Sequence, residues 1–296
     1  MNDTKKKSIA MFTLSMVIYG SIGIFRRLIP ISSSVLVCLR GLLGAILLAG
    51  VSLVRRRKLI SKLSGKLILL LIISGALIGI NWMLLFESYE YTTVAVATLS
   101  YYMAPTIVVL ISPIFLNEKI TLKKGICALV AIAGMFPVSG VISEGIPDIS
   151  ELRGIVYGLG AAAIYAAVMI INKKLPQVDP TDKTIVQLFA AAIVMLPYIL
   201  ITDDLESVTF SASAVILVLI VGFVHTGLAY SLFFAGIDGL PAQTAAILCY
   251  IDPITALILS SLILHEHMDI YGIIGAIAVI GAAFISEVDF RKRAAS

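Results

Sequence analysis

Two ionisable side chains sit where the neighbouring sequence offers them no water. Arg40 lies eight residues into the apolar stretch 33–54, and Asp252 about halfway along the apolar stretch 243–264. A charge near the centre of a bilayer costs at least about 2.5–3.5 kcal/mol on insertion scales, so such groups are functional candidates by default. A guanidinium there offers a fork of N–H donors that fits a carboxylate. A carboxyl offers a place for a coupling proton or cation. The structural alternative is that the two pair with each other, or with Glu87, as a lock. Asp252 precedes Pro253, and Pro105 stands in the stretch 92–116 behind Tyr101 and Tyr102. Proline leaves a carbonyl one turn earlier without its N–H partner, and such broken helices commonly line transport sites.

Aromatic residues recur in the same apolar stretches: Tyr19, Trp82, Phe86, Tyr101, Tyr102, Tyr165, Tyr230 and Tyr250. Together they suggest a cavity for an amphipathic or aromatic cargo, or for a cation held over ring faces. Packing and interfacial belts are the other use of such rings. Asn81 is a polar group beside Trp82, and His225 is a lone ring in an apolar stretch, a structural hydrogen-bonded histidine or a proton relay. Glu118 and Glu266 fall at helix ends, where capping or packing is expected. Arg26 and Arg27 could neutralise an anion at one mouth or snorkel to the interface.

No catalytic set emerges. The histidines are His225, His265 and His267, without zinc-ligand spacing, so no metal and no cofactor are expected. Cys38, Cys127 and Cys249 stand singly in apolar stretches and read as small hydrophobes.

These residues must be positioned by helices that cross a membrane. Hydrophobic residues make up 59% of the 296 positions and charged residues 14%, against about 45–50% and about 25% in soluble domains. The apolar residues fall in blocks of roughly 20, the length that crosses a hydrocarbon core of about 30 Å. The spans are placed at 9–28, 33–54, 67–87, 92–116, 121–141, 154–173, 184–202, 212–236, 243–264 and 270–287. The first is too long for a signal peptide and lacks a small-residue cleavage site.

With the N-terminus in the cytoplasm, eighteen of the 22 Lys and Arg fall in cytoplasmic segments, including Lys5–Lys7, Arg55–Lys58, Lys173, Lys174, Lys183 and Arg291–Arg293. The opposite loops are acidic, as in Glu144…Glu151 and Asp203-Asp204-Leu205-Glu206. That bias places both termini inside. The net charge of +4 sits in loops beside spans and implies no nucleic acid.

An offset of 148 residues lays Tyr102, Pro105, Ser112, Leu116 and Glu118 on Tyr250, Pro253, Ser260, Leu264 and Glu266. It also pairs Gly79 with Gly227, Trp82 with Tyr230 and Phe86 with Phe234, while an offset of 146 pairs Tyr19 with Tyr165 and Pro30 with Pro176. Five spans per half is an odd number, so the second half enters the membrane in the opposite sense. The halves are 1–146 and 147–296. Inverted repeats with a site between them near the midplane are a transporter design.

On these features the chain resembles the EamA family of the drug/metabolite transporter superfamily. The matching residues are Tyr102-Met103-Ala104-Pro105…Leu116-Asn117-Glu118, Tyr250-Ile251-Asp252-Pro253…Leu264-His265-Glu266 and Arg40-Gly41-Leu42-Leu43. Glu87 and Asp252 depart from the family pattern. The resemblance implies an all-α integral membrane protein of ten helices in two inverted repeats, working as a secondary transporter. It implies an exporter of small metabolites such as amino acids, in a bacterial inner membrane, as a monomer or homodimer, with a small molecule and the lipid bilayer as its partners. A membrane-embedded enzyme or a channel is the alternative. The missing catalytic set weighs against the first and the duplication against the second.

Overall fold

Backbone surrounded by hydrocarbon must satisfy its own hydrogen bonds, and a helix does so within one segment. The computed structural model describes residues 3–54, 64–116, 119–143, 145–175, 178–203, 211–237 and 239–287, and among them there are helices and no strand. Glu118, Pro176, Glu144, the basic residues Arg55–Lys58, Lys62 and Arg291–Arg293, and the acidic residues after Asp203 lie outside the described residues.

The first half comprises α1 (Asp3–Gly20), α2 (Ile22–Leu28), α3 (Ser33–Val54), α4 (Gly65–Tyr91), α5 (Val94–Tyr101), α6 (Ala104–Phe115) and α7 (Leu122–Val138). The second comprises α8 (Ile149–Lys173), α9 (Pro180–Thr202), α10 (Ala212–Leu219), a π-helical stretch Ile220–Leu228, α11 (Ala229–Ile237), α12 (Ala242–Leu248), α13 (Ile251–Ile263) and α14 (Ile270–Glu287). Among the described residues seven helices are long and apolar enough to cross a membrane: 5–28, 33–54, 65–91, 94–115, 149–173, 180–202 and 212–237. Shorter apolar helices cover Ile251–Ile263 and Ile270–Ser286.

Pro105 and Pro253 break their helices one turn upstream. Each lacks an N–H and crowds the carbonyl four residues before it. α5 therefore ends at Tyr101 and α12 at Leu248, with the Tyr102–Met103 and Cys249–Tyr250 dipeptides as the joints.

The packing repeats between the halves. α4 packs on α8 and α9, α6 on α8, and α3 on the π stretch, while α1 packs on α11 and α13. Exchanging the halves turns α4–α8 into α11–α1, α4–α9 into π–α3, and α6–α8 into α13–α1. The contacts α3–α9 and α7–α14 map onto themselves. Glycines allow the closest approaches. A Cβ on Gly79 would lie 2.9 Å from the Ala191 carbonyl oxygen, and one on Gly227 would lie 2.3 Å from Leu47 Cδ2. Small residues at these crossings let the helix axes come together.

α4 and α8 run antiparallel and define the two ends of the molecule. At one end the Ser88 hydroxyl donates to the Gly154 carbonyl at 2.7 Å. At the other, Gln187 Nε2 donates to Ser74 Oγ and to Asn172 Oδ1, both at 2.7 Å. Gly154 and Asn172 are thus separated by about 27 Å of helix, at about 1.5 Å per residue.

Candidate functional site

A cavity of about 520 Å³ lies between the halves. Its walls come from α1, α3, α4, the α5–α6 joint, α8, α9, the π stretch, α11 and the α12–α13 joint. Three aromatic pairs related by the repeat line it: Tyr19 with Tyr165, Trp82 with Tyr230, and Phe86 with Phe234. The rings touch one another. Tyr19 meets Tyr230 edge-on with centroids 5.6 Å apart, Tyr101 lies 5.5 Å from Tyr165, and Tyr230 stacks on Phe234 at 6.0 Å.

The charges break this symmetry. Arg40 is 5% exposed, with its guanidinium carbon 3.8 Å from the Trp82 ring centre and 5.3 Å from that of Phe86. Its Nε donates to Thr226 Oγ1 at 3.2 Å, and the Thr226 hydroxyl donates in turn to the Val221 carbonyl at 3.0 Å. The π stretch makes this possible, because its wider turn brings a carbonyl five residues back into reach of the hydroxyl. Among the described residues Arg40 forms no ion pair, neither with Asp252 nor with Glu87. Asp252 also lines the cavity, and its Oδ2 accepts the Tyr102 hydroxyl at 2.8 Å, a bond between the halves. At the 148-residue offset Arg40 corresponds to Leu188 and Asp252 to Ala104, and both of these line the cavity as well.

Arg40, Tyr19, Trp82, Phe86, Tyr101, Tyr102, Tyr165, Tyr230, Asp252, His225 and Pro105 are therefore brought together. His225 Nε2 lies 2.9 Å from Ser21 Oγ, and its ring packs edge-on against Phe25 at 4.4 Å. Four expected residues are elsewhere. Asn81 is fully buried and donates to the Ala161 carbonyl at 2.6 Å, because the one helix position that separates it from Trp82 turns it towards α8. Tyr250 packs edge-on against Phe284 of α14 at 5.6 Å, so it does not mirror Tyr102 in the cavity. Pro253 is buried outside the lining, and Glu87 is half-buried outside it, one position past Phe86.

Sequence reasoning missed Tyr89, Thr98, Asn172, Lys183 and Gln187, which also line the cavity. Tyr89 was within reach: Ile78, Trp82, Leu85, Phe86 and Tyr89 follow helical spacing and share one face of α4. Asn172, Lys183 and Gln187 carry the cavity to the α8–α9 end.

The opposite end is tied by charged groups outside the lining. Arg27 Nη2 donates to the Thr92 carbonyl at 2.8 Å and to Glu266 Oε1 at 3.3 Å. Glu266 Oε2 accepts the Val94 backbone N–H at 2.8 Å and also the Ser260 hydroxyl. Arg26 is 3.0 Å from Glu90 Oε1 and donates to the Ile29 carbonyl and to Ser33 Oγ, each at 3.1 Å. Neither arginine stands open to an anion at a mouth, because each already has an acidic partner.

A family model described as the EamA-like transporter family matches residues 6–140 and again 152–287. The chain is 28% identical over 289 residues to the "Uncharacterized transporter YxxF" of Bacillus subtilis (strain 168), covering 96% of this chain and 91% of that protein. It is 25% identical over 257 residues to "Uncharacterized transporter YoaV" of the same organism, covering 86% and 87%. "Protein PecM" of Dickeya dadantii (strain 3937) is 26% identical over 226 residues, covering 73% and 72%. Among solved structures, a crystal structure is similar in fold, with a TM-score of 0.68 at 16% identity over 94% of this chain and 97% of that one.

Proposed function

We propose a mechanism from one premise: this chain belongs to the EamA-like transporter family and is a multi-pass membrane transporter. It crosses a bacterial inner membrane ten times, as inverted repeats 1–146 and 147–296, with both termini cytoplasmic. The basic residues beside the spans support that orientation. It is a secondary transporter, an exporter of small metabolites such as amino acids or related compounds. The cavity is exposed to each side of the membrane in turn.

The observation that carries this reading is Arg40, a buried cation stacked on Trp82 at 3.8 Å and without a carboxylate partner among the described residues. A buried charge left without an opposite charge is costly, and an anionic group of the cargo would supply one through a fork of hydrogen bonds. The rings around it fit the apolar body of such a cargo. Asp252, shared with Tyr102 across the halves, suits a proton or cation whose binding is linked to movement between the halves. His225, on the π stretch, is the second candidate for coupling.

Counterflow in liposomes tests the reading, with radiolabelled amino acids as probes and a proton gradient applied or collapsed. Saturable exchange is expected. Turnover of a lipid or peptide by the purified protein, or flux that does not saturate, overturns it.

A further inference from the structure

The cavity reaches the α8–α9 end through Asn172 and Lys183, while the opposite end carries a charged cluster that no lining residue belongs to. That cluster joins the halves at one carboxylate. Glu266 belongs to the second half and follows α13 by three residues. Its partners Arg27 and Val94 belong to the first half, one at the end of α2 and the other at the first residue of α5.

We propose that Glu266 and Arg27 form the lock that holds the far end of the cavity shut, with Glu266 as the positioning residue at its centre. The proposal rests on the alternating-access reading above. The first N–H groups of a helix have no partner within it, and Glu266 supplies the one Val94 lacks. Its second oxygen pairs with Arg27, which also holds the Thr92 carbonyl directly before α5. One side chain therefore fixes the entry of α5 against both α2 and α13. α5 carries Thr98 and Tyr101 into the cavity wall, and α13 carries Asp252 and Ala256. For α5 and α13 to part at this end, the Val94 and Arg27 contacts of Glu266 must break. The groups are ionised or backbone dipoles outside the cavity, so separating them lets water solvate each. Such contacts suit a closure that opens and re-forms.

The native thiols test this without knowledge of the cargo. Cys249 lines the cavity, and Cys127 is buried away from it. Vesicles of each orientation are treated with the membrane-impermeant reagent 2-sulfonatoethyl methanethiosulfonate, and modification at each cysteine is followed by peptide mass spectrometry. In the native chain Cys249 is expected to react mainly from the α8–α9 face. Glu266→Ala should speed its reaction from the opposite face about tenfold and slow it from the α8–α9 face, with Arg27→Gln acting in the same direction but less. Glu266→Gln, which keeps an acceptor for Val94, should fall between Glu266→Ala and the native chain.

A purely structural role would instead raise labelling of Cys127 and of Cys249 from both faces together, and that result overturns the lock. Native face preference in both Glu266→Ala and Arg27→Gln also overturns it, while leaving alternating access standing if Cys249 reacts from both faces in the native chain. Cys249 reacting from one face only, in every variant, refutes the alternating-access reading itself. If Glu266→Ala does not fold, Arg27→Gln and Glu266→Gln decide the outcome.

Discussion

Replacing Arg40 with leucine, the residue that stands at the corresponding place of the other half, separates a site from a structural lock. The guanidinium is 5% exposed and lies 3.8 Å from the Trp82 ring centre. A desolvated cation–π contact is worth about 2 kcal/mol, and the bond from Nε to Thr226 about 1.5–3 kcal/mol. Desolvating the charge costs several kcal/mol, so the two sides nearly cancel. Burying leucine there returns about 1.5–3 kcal/mol. Arg40→Leu is therefore expected to unfold within about 2 kcal/mol of the native chain, or above it. Cargo binding should respond quite differently. A carboxylate that loses two charge-assisted bonds loses about 3–6 kcal/mol, an affinity drop of at least about 100-fold. Trp82 is the single tryptophan of the chain, so its intrinsic fluorescence reports both unfolding and the titration of an amino-acid panel. Native affinity in Arg40→Leu would refute the anion-binding role. Native transport per folded molecule together with a stability loss above about 4 kcal/mol would identify Arg40 as a lock instead.

Asp252→Asn is expected to keep exchange in liposomes and to lose accumulation driven by a proton gradient; gradient-driven accumulation at the native level would remove Asp252 from coupling. Asn81→Leu removes one bond to the Ala161 carbonyl, which keeps its helical N–H partner within α8, so stability should fall by about 0.5–1.5 kcal/mol while turnover per folded molecule is unchanged. Thermal unfolding beside counterflow checks both halves of that expectation. A cysteine placed at Tyr102 should react with small thiol reagents and be protected by cargo, whereas one placed at Tyr250, behind the wall and against Phe284, should not. Equal protection at the two positions would restore the mirrored pair.

Periodicity and charge bias made the helices legible because membrane helices declare themselves by length and apolarity alone. The repeat was equally plain, since Tyr-x2-Pro and its distant glutamate recur in register. Helix faces were harder to read. Asn81 and Trp82 are adjacent, yet about 100° of helical rotation sends one to α8 and the other to the cavity. Tyr102 and Tyr250 are equivalent in sequence, but the joints that carry them differ: α6 begins one residue before Pro105 and α13 two residues before Pro253. The π stretch left no composition signal, and without it the reach of Thr226 to Arg40 was not to be foreseen. Long-range partners such as Glu266 with Val94 are 172 residues apart, beyond any local pattern.

Six of the rings that line the cavity come from positions that the two halves share, and this bears on energetics. When the halves exchange roles, each ring that loses cargo contact on one side has an equivalent that gains it on the other. The apolar grip of these six then contributes almost equally to both end states and drops out of their difference. What distinguishes the two states is the part without a twin: Arg40, with Leu188 at the 148-residue offset, Asp252, with Ala104, and the rings of Tyr101 and Tyr102, whose equivalents Cys249 and Tyr250 supply no ring to the wall. Under that reading the shared part of the scaffold is close to neutral about direction, and the bias rests on these unmatched residues and on whichever gradient loads Arg40 and Asp252.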